Sequence, residues 1–146
     1  MITQPTHTEL PQRQLIDVAA ILTRAAVIAE RNGFNQGSFV ATRIAADGTV
    51  LPTSPEQARY LPVCAVGAIR VATSGQPDLD CPAARAAVRW LSSRLPGEPP
   101  TDPETGQDDH VEHVAGWNDA AERTAAEVVS RLRTAALVAS GVAVAA

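Results

Sequence analysis

Lysine is absent from this chain, and all 12 of its basic residues are arginine. The codon usage of a high-GC genome accounts for that bias. Aromatic residues are scarce as well, at 3%, although 45% of the chain is hydrophobic. Ala, Val, Leu and Ile carry the apolar share, which favours close-packed helices over a large β-sandwich. Clustered positive charge is missing, and the net charge is −4. Nucleic acid is therefore not expected as a partner, because counterion release needs basic patches. Long hydrophobic runs are missing too: no stretch approaches the roughly 18 apolar residues of a membrane span. The apolar C-terminal run Leu137–Ala146 is only about ten residues long and too short to cross, so no membrane association is expected. Met1 to Thr8 has neither a charged start nor an apolar run, so no cleavable signal is expected and a cytoplasmic location is. Cysteine is limited to Cys64 and Cys81. In a reducing compartment both are expected as free thiols, a disulfide between them being the alternative. The chain has neither G-x-G-x-x-G nor G-x-x-x-x-G-K-[ST], so no phosphate-cradling loop is present. No internal repeat is found.

At 146 residues the chain can bury a core without disulfide or metal staples. Residues 1–8 read as a flexible arm, 9–140 as a single helical domain, and 141–146 as a tail. The expected fold is mainly α, with about four to five helices and one short β-hairpin after the first. The most apolar stretch of small residues, Pro62 to Ala72, reads as a buried central helix. Ahead of it, Leu15, Ile16, Ala19, Ala20, Leu22, Ala26, Val27 and Ile28 trace one face of a helix over 12–31. Gly33 suits its C-terminal end. Asp47-Gly48 between two runs of β-formers is a hairpin signal. Thr53 or Ser54 can cap a short turn beginning at Pro55. Asp80 or Cys81 can cap a helix that starts at Pro82 and carries Ala84, Ala87, Val88, Leu91 and Leu95 on one stripe. The 96–109 segment holds four prolines, two glycines and five acids, and is expected to be an exposed, mobile loop. His110 to Trp117 reads as one or two helical turns ended by Asn118-Asp119. Thr124 to Glu127 reads as a capping box opening the last helix.

Three constellations could carry chemistry. Cys64 opens the central helix, where free N–H groups and the macrodipole favour a thiolate. A Cys64 nucleophile would need a downstream base, His110 or His113, oriented by Asn118 or Asp119, the roles found in papain-like enzymes. Buried cysteine is also a common small core residue, which is the competing reading. Trp117-Asn118-Asp119 could form a binding edge, or could end one helix while Trp117 anchors the turn. Asp108-Asp109-His110-Val111-Glu112-His113 has histidines at i, i+3 among carboxylates but lacks H-E-x-x-H, so no metal site and no cofactor are expected.

The order of these motifs resembles a family of small uncharacterised proteins of actinobacteria, their phages and plasmids, classed as a domain of unknown function. The resemblance rests on Gly33-Phe34 with Gln36-Gly37, on Asp47-Gly48, and on C-A-x-G-A at Cys64 to Ala68. It continues with W-N-D at 117–119 and T-x-x-E-V at Thr124 to Val128, and covers roughly residues 14 to 138. It implies a shared fold and no established activity. The function expected is a non-catalytic accessory or interaction module with an unidentified protein partner. A cysteine-dependent hydrolase or transferase, with Cys64 as nucleophile and His113 as base, is the alternative.

Overall fold

A computed structural model describes residues 10–145; the arm expected over residues 1–8 lies outside the described residues. Six helices form there: α1 (Gln12–Asn32), α2 (Pro55–Ala58), α3 (Ala65–Thr73), α4 (Pro82–Ser93), α5 (His110–Asn118) and α6 (Ala125–Ala145). The mainly helical expectation holds, but the count of four to five is corrected to six. The short turn expected from Pro55 is α2, which a full capping box makes stable. The Ser54 side chain accepts from the Gln57 amide while the Gln57 side chain accepts from the Ser54 amide.

The expected β-hairpin does not form, and the described residues contain no sheet. Asp47-Gly48 does make a turn, with Ala45 N donating to Thr49 O at 2.8 Å and Leu51 N to Arg43 O at 2.8 Å. Only the isolated bridge between Ile44 and Val50 follows. Both side chains remain more than 60% exposed, so no apolar face is buried to extend the ladder.

In α1 the buried residues are Leu15, Val18, Ile21, Leu22, Ala25, Ala26, Ile28 and Ala29. Ile16 and Val27, expected inside, face outward at 55% and 50% exposure. This face packs most extensively against α6 and next against α3. α4 joins the same core, and α5 packs against both α4 and α3. Trp90 of α4 is buried, and its indole N–H donates to the Ala135 carbonyl of α6 at 2.9 Å. That bond satisfies a polar atom which would otherwise be costly to bury. α6 continues through the expected break at Ser140-Gly141 to Ala145.

Helix α3 is the buried centre, with Ala65, Val66, Ala68 and Ile69 all inaccessible. It starts at Ala65 rather than Pro62, because residues 62–64 are tied to the segment after α1. Gly33 (φ 101) turns the chain there, and the Val63 amide donates to the Gly33 carbonyl at 3.1 Å. Ala41 N then donates to Pro62 O at 2.8 Å, and Cys64 N to Phe39 O at 3.3 Å. The Phe39 carbonyl sits directly over α3, where a Cβ on Gly67 would lie 2.1 Å from it. Only glycine fits this position, which explains the fourth residue of C-A-x-G-A.

The 96–109 segment folds back on itself. Asp102 N donates to Gln107 O at 2.8 Å and Asp109 N to Pro100 O at 2.7 Å.

Candidate functional site

Three chain segments converge on the N-terminus of α3: the turn after α1, Cys64-Ala65, and the end of α5. Asn118, the last residue of α5, is completely buried. Its Oδ1 accepts from the Ala65 amide at 3.0 Å, satisfying one of the donors left open at a helix start. Its Nδ2 donates to the Asn35 carbonyl and to Asp119 Oδ1, each at 3.0 Å. Asp119 Oδ1 also accepts from the Gly37 amide at 3.0 Å. The Gln36 side chain donates to the carbonyls of Asn118 at 3.1 Å and Ala120 at 2.8 Å. The carbonyl of the last residue of α5 is thereby partnered. Asn118 and Asp119 thus meet the start of the central helix.

Cys64 is the N-cap of α3, and its Sγ accepts from the Gly67 amide at 3.4 Å. Burial pushes the thiol above its ordinary value. The Gly67 and Val66 amides oppose that rise, the Asp119 charge adds to it, and Arg70 lowers it. The neutral thiol is therefore the favoured form. Both Cys64 and Cys81 are free, with Cys64 buried and Cys81 partly exposed. Arg70 is itself nearly buried: its guanidinium stacks on Phe39 at 4.4 Å from the ring centre and its Nε lies 4.0 Å from Asp80.

His113 is not among the partners of Cys64. Its Nδ1 lies 2.7 Å from Ser92 Oγ and its Nε2 lies 2.9 Å from the Pro96 carbonyl. His110 approaches the same hydroxyl, with Nδ1 at 3.0 Å from Ser92 Oγ. The i, i+3 histidine pair therefore converges on a buried serine of α4. No group of three or more His, Cys, Asp or Glu among the described residues could hold a metal ion. His110 also lines a cleft of about 520 Å³ between the start of α1, α4 and the 96–109 segment. Arg85 and Arg89 line it, as do Asp102, Asp108 and Asp109.

Trp117 is half-buried beneath two arginines, Arg123 at 4.0 Å and Arg131 at 5.9 Å from its ring centre. Arg123 also donates to the Trp117 carbonyl at 2.9 Å and pairs with Glu127 at 2.6 Å. That pairing holds the Glu127 carboxyl below its ordinary range. Thr124 Oγ1 accepts from the Glu127 amide at 3.2 Å, capping α6. Asp119 is exposed.

Ser92 carried no signal in the sequence, because a serine preceding a histidine pair by about one loop is not a recognisable pattern. Gln36 and Gly37 were visible only as part of the resemblance, and their partners lie more than 80 residues away.

No helix among the described residues is long and apolar enough to cross a membrane. No curated protein and no solved structure is matched by the chain. Residues 14–137 match a family of unknown function, DUF6197, and the chain belongs to that family.

Proposed function

We propose that this protein is a non-catalytic accessory or protein-interaction module of the cytoplasm, carried in a phage or mobile-element setting. The observation that supports this reading most is the employment of Asn118. Its amide is consumed by Ala65, Asn35 and Asp119, so the W-N-D and C-A-x-G-A motifs serve each other. Residues that hold the chain together leave little chemistry for a substrate. Any binding edge at 117–119 would use the exposed Asp119 and the rim of Trp117, since Asn118 is enclosed. A protein partner is the proposed occupant, with neither nucleic acid nor membrane.

The second reading is a cysteine-dependent hydrolase or transferase. It is favoured by Asn118 and Asp119 lying beside the helix start that carries Cys64. It would require a buried thiol to ionise and His113 to leave Ser92 and Pro96.

Iodoacetamide labelling of the native protein near neutral pH separates the two. The module reading expects Cys81 to react and Cys64 to stay protected until the chain unfolds. Faster labelling of Cys64 than of Cys81, slowed by His113→Ala, would favour the enzyme.

A further inference from the structure

Helix α1 buries one side in the core and carries a second, ordered stripe on its outer side. Arg13, Ile16, Ala20, Thr23, Val27 and Glu30 recur at spacings of 3, 4, 3, 4 and 3, and all six are exposed. That alternation keeps side chains on one helix face and is the seam spacing of paired helices. The stripe reads alike from either end of a midpoint between Ile21 and Leu22. Each half holds a small residue, then a large apolar one, then a charge, and the two end charges are opposite. Thr23 Oγ1 already donates to the Ala19 carbonyl at 2.8 Å, so its hydroxyl hydrogen asks nothing of a covering surface. Beside the centre of the stripe, Ala19, Ala20 and Thr23 form a groove of about 600 Å³ with Ala136, Leu137 and Ser140 of α6. Leu137 is 73% exposed there.

We infer that this face is a homodimer interface, in which the α1 helices of two copies pack antiparallel about a two-fold axis.

A two-fold contact requires that residue i meets residue j while j meets i. With the helices antiparallel about the midpoint, Ile16 of one copy meets Val27 of the other, and Ala20 meets Thr23. The small pair lets the backbones approach at the axis, and the large pair fills the seam on either side. The same register sets Arg13 against Glu30 of the second copy, roughly 13 Å from the axis at each end by helix rise. Arg13 has no carboxylate partner among the described residues. Glu30 meets Arg133 through Oε2 at 2.6 Å, which leaves Oε1 for the incoming guanidinium. Along one flank, Asp17 comes within about 3 Å, measured along the axis, of the level of the second copy's Arg24. An unrelated partner sets no requirement for such a palindrome, whereas a second copy does. A two-fold axis also keeps both α6 helices on the same side of the seam, where the two Leu137 side chains flank its small centre. The surface shares no residue with the 117–119 edge, so a monomeric chain would leave the reading of that edge untouched.

Sedimentation velocity of the full chain over a dilution series, with circular dichroism alongside, tests the interface. The expected result is a reversible species of twice the 15.3 kDa of one chain. Ala20→Glu, at an exposed helix position, should keep the helical spectrum and weaken association by more than about tenfold, since it sets two carboxylates beside the axis. Arg13→Glu and Glu30→Arg should each weaken association as well, by placing like charges at both ends. Mixing those two variants should restore the dimer, because each end then holds opposite charges again. A single-chain mass at every concentration overturns the proposal. So does a dimer that Ala20→Glu leaves intact, or a mixture that associates no better than its separate components. Should Ala20→Glu lose its helical spectrum, the charge-swapped mixture decides alone.

Discussion

Asn118 Oδ1 lies 3.0 Å from the amide nitrogen of Ala65, a residue 53 positions earlier in the chain. One buried carboxamide thus ends α5, caps α3 and holds the turn after α1 through the Asn35 carbonyl. The Ala65 amide opens α3, whereas Asn35 lies in the turn after α1.

Asn118→Ala should therefore destabilise the protein far beyond an ordinary polar truncation. It leaves the Ala65 amide and the Asn35 carbonyl without their partner inside the core. The expected loss is roughly 2–4 kcal/mol, from the cost of stranding buried polar groups. Asn118→Asp should cost no less, since it removes the donor to Asn35 and sets a second charge beside Asp119. Urea unfolding checks both, with the midpoint falling while the slope stays constant. A loss under about 0.5 kcal/mol, typical of a surface site, would contradict the structural role.

Gly67 and Gly116 both lie inside helices and should respond in opposite directions to alanine. At Gly67 the added methyl would meet the Phe39 carbonyl at 2.1 Å, while at Gly116 it meets open space. Gly67→Ala should cost on the order of 1–3 kcal/mol, the usual range for overpacking. Gly116→Ala should gain up to about 1 kcal/mol from helix propensity. Thermal unfolding of the two variants beside the parent protein gives the signs directly.

The Cys64 thiol should leave its mark at alkaline pH. Burial raises its folded value above the ordinary 9.0, so the folded chain keeps a proton that the unfolded chain releases. Stability from this group is fully present below the unfolded value and declines as pH rises above it. Cys64→Ser should show a shallower alkaline decline in unfolding free energy than the parent. Identical declines would mean that the buried thiol does not control that limb.

How much of this was legible in the sequence depends on the range of the interaction. Local signals worked: Pro82 at the start of α4, Gly33 after α1 and Thr124 before α6 are where their chemistry puts them. The facing of α1 was misread at Ile16 and Val27. Its alanines at 19, 20, 25, 26 and 29 fit either side, so the apolar stripe is wide enough to be rotated. Asp47-Gly48 specified a turn, but a turn alone cannot supply the buried face that strands need. At the candidate site, the W-N-D stretch was visible as a helix end. That its asparagine reaches another helix was not, because no local pattern encodes a contact across 53 residues. The partners of His113 were hidden for the same reason.

The pairing of α1 with α6 has a consequence for how the chain is made. The two helices are separated by the whole of the intervening domain, and the Glu30–Arg133 ion pair between them spans 103 positions. During synthesis α1 emerges well before α6 and, with only α3 and α4 to pack against, lacks the partner it contacts most extensively. Such distant pairings also slow folding, because a long loop must close before any contact rewards it. A nascent chain stopped before residue 125 should thus remain open to protease at α1. Release of the α6 segment from the ribosome is then the event that commits the domain to its native state.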